Sequence, residues 1–262
     1  MTSAPSWVGG GPRILIVVVT FEAASTVVGV LDRIPGRLHG VPPVVLVADD
    51  GSTDDTAAVA ERWAGSAGDL DVHVVRRVHN LGYGGNQAAC YAWAAEVGAE
   101  IVVLLHGDAQ YPPERIEDLV RPIREDRADV VFGSRMIIPA GARRGGMPLD
   151  RFVGNRVLTR ALNLLCGSEL TEWFSGFRAY RVSTLAEVDV SELPPGFDFD
   201  TAIICRLLEH GARLDEIAIE TRYADEISRV PLIRTGVLGL AHGLGYAWRS
   251  LSRRRGRGRP TR

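Results

Sequence analysis

Residues 43–56 have the sequence Pro-Val-Val-Leu-Val-Ala-Asp-Asp-Gly-Ser-Thr-Asp-Asp-Thr, an apolar run followed at once by acids and small polar residues. The run does not alternate with polar residues, which predicts a strand buried on both faces over residues 43–48. Gly51 permits a tight turn after it. Ser52 or Asp54 can then cap a helix predicted over residues 54–64. The stretch therefore predicts one strand-turn-helix unit of an α/β protein.

The same unit recurs on both sides of this stretch. Apolar runs predict further strands over residues 13–20, 72–78, 101–105 and 129–132. Helical patterns follow over residues 23–34, 84–97 and 113–124. Such a series implies a Rossmann-like, mostly parallel sheet flanked by helices. The second half predicts helices over residues 151–165 and 199–210, a strand over residues 214–219 and a weaker helix over residues 231–251.

Length and charge set the domain organisation. With 262 residues, the chain suits one α/β domain with a C-terminal helical extension. Formal net charge is −2, yet the segment from Arg249 to Arg262 holds seven arginines and no acid. An acidic body argues against nucleic-acid binding, whereas the basic tail permits contact with an anionic membrane. We expect a flexible N-terminus (1–12), a catalytic domain (13–230), an amphipathic helical extension (231–251) and a basic disordered tail (252–262).

The cellular compartment follows from the cysteines and the apolar segments. The three cysteines lie far apart with no Cys-x-x-Cys, which argues against disulfides and structural zinc and fits a reducing cytoplasm. The N-terminus does not resemble a signal peptide, and no apolar run approaches the about 20 residues of a spanning helix. A helix over residues 231–251 would instead place six apolar residues on one face, which favours peripheral contact with the cytoplasmic membrane surface. They are Val237, Leu240, Ala241, Leu244, Ala247 and Trp248.

Polar residues cluster at the carboxyl ends of the predicted strands, where open parallel sheets bind ligands. Asp49 and Asp50 end the second strand, and their carboxylates can accept hydrogen bonds from a nucleobase or ribose. Helix capping is the alternative. Asn80, Gly82 and Gly84 follow the third strand, and the glycines allow backbone amides to approach a phosphate. A plain tight turn explains this loop equally well.

The fourth strand leads into His106-Gly-Asp-Ala-Gln-Tyr-Pro-Pro-Glu114. Asp108 and Gln110 are two residues apart, so their oxygens can point the same way. Oxygen ligands with vacant positions suit Mg²⁺ or Mn²⁺ holding a diphosphate, and the His106 imidazole favours Mn²⁺ slightly. The alternatives are a polar turn and a histidine used for packing.

Taken together, these motifs resemble the family-2 glycosyltransferases of the GT-A fold, and among them the dolichyl- or polyprenyl-phosphate sugar synthases. The resemblance covers about residues 14–228. The motifs follow in the family's order. They are Val18-Val-Thr-Phe-Glu22, Ala48-Asp-Asp-Gly-Ser-Thr-Asp-Asp-Thr56, His106 to Glu114, Gly133-Ser-Arg-Met136, Glu172-Trp-Phe-Ser-Gly-Phe-Arg-Ala-Tyr180, Phe197-Asp-Phe-Asp200 and Tyr223-Ala-Asp-Glu-Ile-Ser228.

The resemblance implies an inverting enzyme that uses a GDP- or UDP-sugar. Thr20, Asp49 and Asp50 would hold the base and ribose, and Asp108 and Gln110 would bind the metal. Two departures stand out. His106 replaces the first acid of the metal motif, and Glu22 occupies a donor-loop position where the family usually has Asn.

The resemblance also bears on the acceptor. Arg135 would meet the acceptor phosphate or the diphosphate, with Arg178 nearby. A phosphate acceptor is already anionic and needs cations rather than a general base, and the arginines of the second half favour a lipid phosphate. If the acceptor is a hydroxyl of a soluble glycan or small molecule, Glu172 or Asp200 would be the base. The arginines are Arg135, Arg143, Arg144, Arg156, Arg178 and Arg229.

Two other classes of protein compete with this interpretation. A nucleotidyltransferase would need a glycine-rich loop with a basic residue after the first strand, and Thr20-Phe-Glu22 supplies neither. A non-catalytic nucleotide-sugar binding protein is supported by His106 alone.

Overall fold

The structure is a computed structural model that describes Pro5, Trp7 and residues 13–220 and 232–257. The rest of the predicted N-terminal segment, the motif at residues 223–228, Arg229 and residues 258–262 lie outside the described residues. Trp7 is held against the domain, because its indole N–H donates to the Val97 carbonyl (3.0 Å).

One sheet organises the described part of the chain. Its strands are β1 (Ile14–Thr20), β2 (Val44–Asp49), β3 (Asp71–Arg76), β4 (Ile101–His106), β5 (Val130–Ser134), β6 (Arg178–Arg181) and β7 (Leu214–Ala218). Their spatial order is β3-β2-β1-β4-β6-β5-β7. Strand β6 runs antiparallel to β4 and β5, and the other pairings are parallel. The mostly parallel sheet predicted from the sequence is confirmed.

Helices flank this sheet. They are α1 (Val27–Leu31), α2 (Thr56–Ala64), α3 (Tyr83–Glu96), α4 (Ile116–Arg124), α5 (Pro139–Arg144), α6 (Leu149–Cys166), α7 (Val182–Ala186), α8 (Phe199–Glu209) and α9 (Leu232–Arg257). Successive side chains of β1 enter opposite cores: Leu15 and Val17 pack on one face of the sheet, and Ile16 and Val18 on the other. The apolar strands are therefore covered on both sides.

Helix α1 is shorter than the predicted 23–34. The N–H of Ala23 donates to Thr56 Oγ1 (2.8 Å), and the N–H of Ala24 donates to Asp54 Oδ2 (3.2 Å). Because these acceptors belong to the loop after β2 and the first residue of α2, they draw the chain across the sheet edge before the helix can begin. The segment that follows β1 is thus a loop.

Strand β6 is not predicted by the sequence pattern. Its four residues, Arg-Ala-Tyr-Arg, lack an apolar run, and its first residue, Arg178, is fully buried. Arginine is almost never fully buried unless it is paired. The charged partner of Arg178, Asp200, lies 22 residues away, so the local apolar pattern carries no signal for this strand.

Helix α9 continues to Arg257, so the predicted disordered tail from residue 252 begins within a helix. Arginine is a good helix former, and Arg249 Nε binds Glu209 Oε1 of α8 (2.7 Å). Leu240, predicted on the exposed face, packs against the core. The solvent-facing apolar residues of α9 are Val237, Ala241, Leu244, Trp248 and Leu251. No helix among the described residues is long and apolar enough to cross a membrane.

Candidate active site

A cavity of about 1290 Å³ opens at the carboxyl ends of β1, β2 and β4. Ten residues predicted from the sequence line it. They are Thr20, Glu22, Asp50, Asn80, Gly82, His106, Asp108, Gln110, Arg135 and Asp200. Four predicted residues are not in its lining: Asp49, Gly84, Glu172 and Arg178. Most of the residues predicted near the carboxyl ends of strands therefore line one cavity. The four that do not line it have structural explanations.

The two aspartates that end β2 have different surroundings. Asp50 lines the cavity, and its Oδ1 accepts a hydrogen bond from the Leu81 N–H (2.8 Å). Burial raises the pKa of Asp50 above its usual value, against the hydrogen bonds that stabilise the charge. Asp49 is fully buried and accepts hydrogen bonds from the N–H (3.2 Å) and the hydroxyl of Ser52. Asp49 therefore shapes the turn, and Asp50 faces the ligand space.

The loop after β1 is fixed by Glu22, which adopts a positive φ of 53°. Its Oε1 accepts hydrogen bonds from the N–H (2.8 Å) and the hydroxyl (2.9 Å) of Thr53. Glu22 thus ties the β1 loop to the β2 loop. Thr20 also lines the cavity, and its buried hydroxyl has no hydrogen-bond partner among the described residues.

The glycine loop after β3 does not present the predicted phosphate amides. The Gly82 N–H donates to Asn80 Oδ1 (2.8 Å), and the Gly84 N–H donates to the Pro195 carbonyl (2.8 Å). A Cβ at Gly82 would lie 2.7 Å from the Pro195 oxygen, and one at Gly84 would lie 2.5 Å from Phe199 Cβ. Only glycine fits at these two positions, because a Cβ would clash with Pro195 or Phe199. Both amides already donate to acceptors inside the protein, so neither is offered to a phosphate.

Asp108 is more open than His106, with 38% of its side chain exposed against 16%. Its Oδ1 accepts the Gln110 N–H (3.1 Å), and its Oδ2 lies 4.0 Å from His106 Nδ1. No group of three or more His, Cys, Asp or Glu residues in the described part of the chain could hold a metal. One carboxylate with an imidazole and an amide nearby fits an ion that takes its remaining ligands from a diphosphate.

His106 ends β4 among aromatic side chains. Its Nε2 lies 3.3 Å from the Tyr83 hydroxyl, and Tyr83 and Tyr111 both meet the ring edge-on. Burial lowers the pKa of His106, while the carboxylates of Asp108 and Asp200 oppose that shift. The ring is therefore held by packing and also connected to the polar groups of the cavity.

Arg178 and Asp200 form an ion pair at the base of the site, with Nη1 and Oδ1 3.1 Å apart. Arg178 is fully buried and also donates from Nε to the Ser175 carbonyl (2.6 Å). Asp200 Oδ2 accepts the Tyr83 hydroxyl (2.9 Å), whereas Oδ1 accepts no hydrogen bond from the described residues. Burial, and then Asp200, raise the pKa of Tyr83 well above 10. Arg178 acts on the site through Asp200 and does not reach the cavity.

Arg135 follows β5 and lines the cavity with its guanidinium paired to Glu172. The Arg135 backbone N–H donates to Glu172 Oε2 (2.8 Å), and its Nε donates to Oε1 (2.8 Å). Asn155 Nδ2 is a further donor to the same carboxylate (2.7 Å). Glu172 is fully buried behind Arg135. It orients Arg135, and nothing in its surroundings gives it access to a substrate.

Residues 15–189, about two thirds of the chain, match the profile described as glycosyl transferase family 2. The chain belongs to glycosyl transferase family 2. It is a glycosyltransferase, and the match argues against the rival class of nucleotidyltransferase.

Two curated members of the family are similar over most of their length. The undecaprenyl-phosphate mannosyltransferase of Micrococcus luteus is 29% identical over 251 residues, which cover 93% of this chain and 99% of that protein. The polyprenol monophosphomannose synthase of Mycolicibacterium smegmatis is 30% identical over 218 residues, which cover 82% of this chain and 79% of that protein.

Among solved structures, the chain is similar to glucosyl-3-phosphoglycerate synthase from Mycobacterium tuberculosis, solved with Mn²⁺, UDP and phosphoglyceric acid. The TM-score is 0.64 at 20% identity, and the match covers 90% of this chain and 79% of that one. This likeness confirms the predicted GT-A fold.

The cavity of this glycosyltransferase has a second, apolar part that the motifs do not predict. It is lined from α6, α9 and the segments beside them. The apolar and small residues there are Met147, Gly154, Leu158, Phe174, Gly236, Val237 and Leu240. Gly236 lets the two helices approach, since a Cβ there would lie 3.0 Å from Leu158 Cδ1. Small residues on two helices are the sequence signal for such a close contact. They do not indicate which two helices pack together.

The arginines of the second half separate into two groups. Arg135 lines the cavity, and so does Arg151, which the motifs do not single out. Arg143 and Arg144 are exposed on α5, and Arg156 lies over the Phe152 ring (5.7 Å), so none of these three enters the cavity lining.

Proposed function

We propose that this glycosyltransferase moves a sugar, with inversion, from a nucleoside-diphosphate sugar to the phosphate of a polyprenyl lipid. The observation that carries the proposal is the mixed lining of one cavity. Asp50 and Asp108 line it at the strand ends, and Leu158 and Leu240 line it between helices. Polar groups suit a nucleotide, and an apolar slot suits the first isoprene units. The activities in the names of the two curated relatives support the same substrate class.

The donor is a GDP- or UDP-sugar held at the strand ends. Asp50 lines the cavity with a carboxylate, and Thr20 lies beside it with a buried hydroxyl that has no hydrogen-bond partner among the described residues. These groups match the hydrogen-bonding needs of a base and ribose. The UDP in the similar solved structure supports a uridine nucleotide, and the mannosyl-transferring relatives support mannose as the sugar.

A divalent ion, Mg²⁺ or Mn²⁺, would be held by Asp108 with His106 and Gln110 beside it. When bound, such an ion neutralises charge on the leaving diphosphate. The exposed carboxylate and the incomplete set of protein ligands both support this use. The Mn²⁺ in the similar solved structure supports it further.

The acceptor phosphate would be steered by Arg135. The Arg135 guanidinium brings positive charge to the cavity, and Glu172, which also accepts from Asn155, holds it in place. A phosphate needs no general base, so the buried position of Glu172 is no obstacle. A hydroxyl acceptor is the second candidate, and the cavity position of Asp200 supports it.

An apolar surface beside the cavity supports peripheral membrane binding. We name it the lipid face, and it comprises one exposed stripe on α6 and one on α9. Its large apolar residues are Leu149, Val153, Val157 and Leu164 on α6, and Val237, Leu244, Trp248 and Leu251 on α9. Each stripe keeps to one side of its helix by i, i+3, i+4 and i+7 spacing. Arg160 lies within the α6 stripe, and most of the C-terminal arginines belong to the last turns of α9. Apolar residues flanked by arginine are the composition of an interfacial segment.

The test is a transfer assay with GDP- and UDP-sugars against undecaprenyl phosphate in detergent, with phosphoglyceric acid and a soluble glycan as competing acceptors. We expect a lipid-linked sugar phosphate from one donor. Efficient transfer to a soluble acceptor with none to the lipid would overturn the proposal.

A further inference from the structure

The His106 ring is locked in one orientation by the backbone beside it. A Cβ at Gly176 would come within 2.4 Å of the ring's Cε1 and Nε2, so only glycine fits there. Gly176 is itself held in place, because its N–H donates to the Tyr111 hydroxyl (2.8 Å). Tyr111 and Tyr83 meet the ring edge-on, with ring centroids 5.4 Å and 5.6 Å from His106. The two ring nitrogens therefore have fixed neighbours.

The hydrogen bonds of Tyr83 determine which nitrogen carries the hydrogen. A tyrosine hydroxyl has one hydrogen, and a carboxylate can only accept. The Tyr83 hydroxyl lies closer to Asp200 Oδ2 (2.9 Å) than to His106 Nε2 (3.3 Å). Its hydrogen therefore goes to Asp200, and its oxygen is left to accept from Nε2–H. In the neutral ring this arrangement leaves the lone pair on Nδ1.

Nδ1 faces the predicted metal position. It lies 4.0 Å from Asp108 Oδ2. Two atoms that each bind a common ion at about 2.1 Å can be at most about 4.2 Å apart. Neighbouring ligands of an octahedral ion lie about 3 Å apart, so Nδ1 and Asp108 Oδ2 can share one ion after the two side chains approach by about 1 Å.

We propose that Tyr83, supported by Asp200, is a positioning residue that fixes the tautomer of His106 so that Nδ1 and Asp108 bind the same divalent ion. The inference rests on the proposed use of a divalent ion in sugar transfer. Histidines that bind metals usually donate their other N–H to an oxygen acceptor, which orients the ring. A carboxylate at position 106 would need no such partner, because either of its oxygens can bind. The role of Tyr83 therefore exists only while residue 106 is a histidine.

This dependence gives a double-mutant test with Mn²⁺ as the probe. Free Mn²⁺ is measured by electron paramagnetic resonance in the presence of UDP, and pulsed measurements detect ¹⁴N coupling from a bound imidazole. In the wild type we expect Mn²⁺ with ¹⁴N coupling. Tyr83→Phe keeps the ring that stacks on Phe197 (5.1 Å) and removes only the hydroxyl. It should weaken Mn²⁺ binding about 10-fold or more, the usual effect of removing such a partner.

His106→Asp should bind Mn²⁺ without ¹⁴N coupling, and adding Tyr83→Phe to it should change the affinity less than about twofold. Tyr91→Phe is the matched control, because it removes a buried tyrosine hydroxyl that donates to Gln87 and lies outside the cavity lining. It should leave both the coupling and the Mn²⁺ affinity close to wild type.

If the wild type binds Mn²⁺ with UDP but shows no ¹⁴N coupling, the inference is overturned and the proposed function is not. The inference is also overturned if Tyr83→Phe lowers the Mn²⁺ affinity equally in the wild type and in His106→Asp. Normal coupling without any transfer to a polyprenyl phosphate would instead overturn the proposed function and leave the inference standing.

Discussion

Arg135 and Glu172 form a buried pair in which one carboxylate accepts from both the backbone N–H (2.8 Å) and the Nε (2.8 Å) of the same arginine. Because the backbone and the side chain are bound together, the guanidinium has little freedom to move. An acceptor phosphate would meet a cation that is already oriented, which reduces the ordering cost of binding.

Arg135→Ala should raise the KM for the lipid acceptor at least about 10-fold and the KM for the donor much less. It also leaves Glu172 buried without its cation, a change that costs about 3–5 kcal/mol of stability. Adding Glu172→Gln removes that unpaired charge, so the double variant should melt higher than Arg135→Ala and still bind acceptor poorly. Steady-state kinetics and thermal unfolding check this. Equal rises in both KM values would assign Arg135 to the diphosphate.

Asp108→Ala should abolish transfer with little loss of stability, because 38% of the side chain is exposed. EDTA should stop the wild type, and Mn²⁺ or Mg²⁺ should restore it. Asp69→Ala, which removes an exposed carboxylate outside the cavity lining, is the control and should behave as the wild type. Full activity in EDTA would contradict a metal-dependent mechanism.

Asp50→Asn should weaken nucleotide binding by about 1–3 kcal/mol, the effect of one buried polar partner lost. It should also stabilise the free protein at neutral pH. Burial raises the pKa of Asp50, so the folded state binds this proton more tightly than the unfolded chain. The charged carboxylate therefore lowers stability above its folded pKa, and this cost disappears below its ordinary pKa of 3.8.

Titration calorimetry with UDP and GDP, and melting temperatures at pH 7 and near pH 3.5, measure both effects of Asp50→Asn. The gain in melting temperature should be present at pH 7 and absent near pH 3.5. A gain that is the same at both values, or unchanged affinity for both nucleotides, would contradict the role of Asp50.

The lipid face can be tested with vesicles of anionic lipid. The protein should co-sediment with them at low salt and dissociate at high salt. Deleting residues 253–262 should reduce binding without changing nucleotide affinity. Trp248→Ser should also reduce it, because Trp248 is 73% exposed at the centre of the α9 stripe. Val78→Ser is the control, since Val78 is 89% exposed but lies outside both helices. No binding at low salt, or equal effects of both substitutions, would exclude this surface.

The sequence predicts a site residue when the features that position it lie close to it in the chain. Thr20, Asp50 and Asp108 directly follow apolar strands, so their positions at the carboxyl ends of parallel strands bring them together. Glu172 and Arg178 carry motif signals too, but their positions depend on Arg135 and Asp200, which are distant in the chain. Those contacts exist only after folding.

The same reasoning explains what the sequence does not predict. Tyr83 is one aromatic residue in a glycine loop, and its importance depends on His106 and Asp200 meeting it. Strand β6 inserts between β4 and β5 with a charged residue at its start, so no apolar pattern marks it. The apolar part of the cavity requires knowing that α6 packs on α9.

Val237 belongs both to the cavity wall and to the exposed stripe of α9, where 61% of it is accessible. One helix would therefore border the reaction chamber and the bilayer at once. A polyprenyl phosphate could then enter sideways from the leaflet without its tail crossing water. Turnover would follow the mole fraction of acceptor within the membrane rather than its concentration in the bulk, and adding inert lipid at constant total acceptor would slow the enzyme by surface dilution.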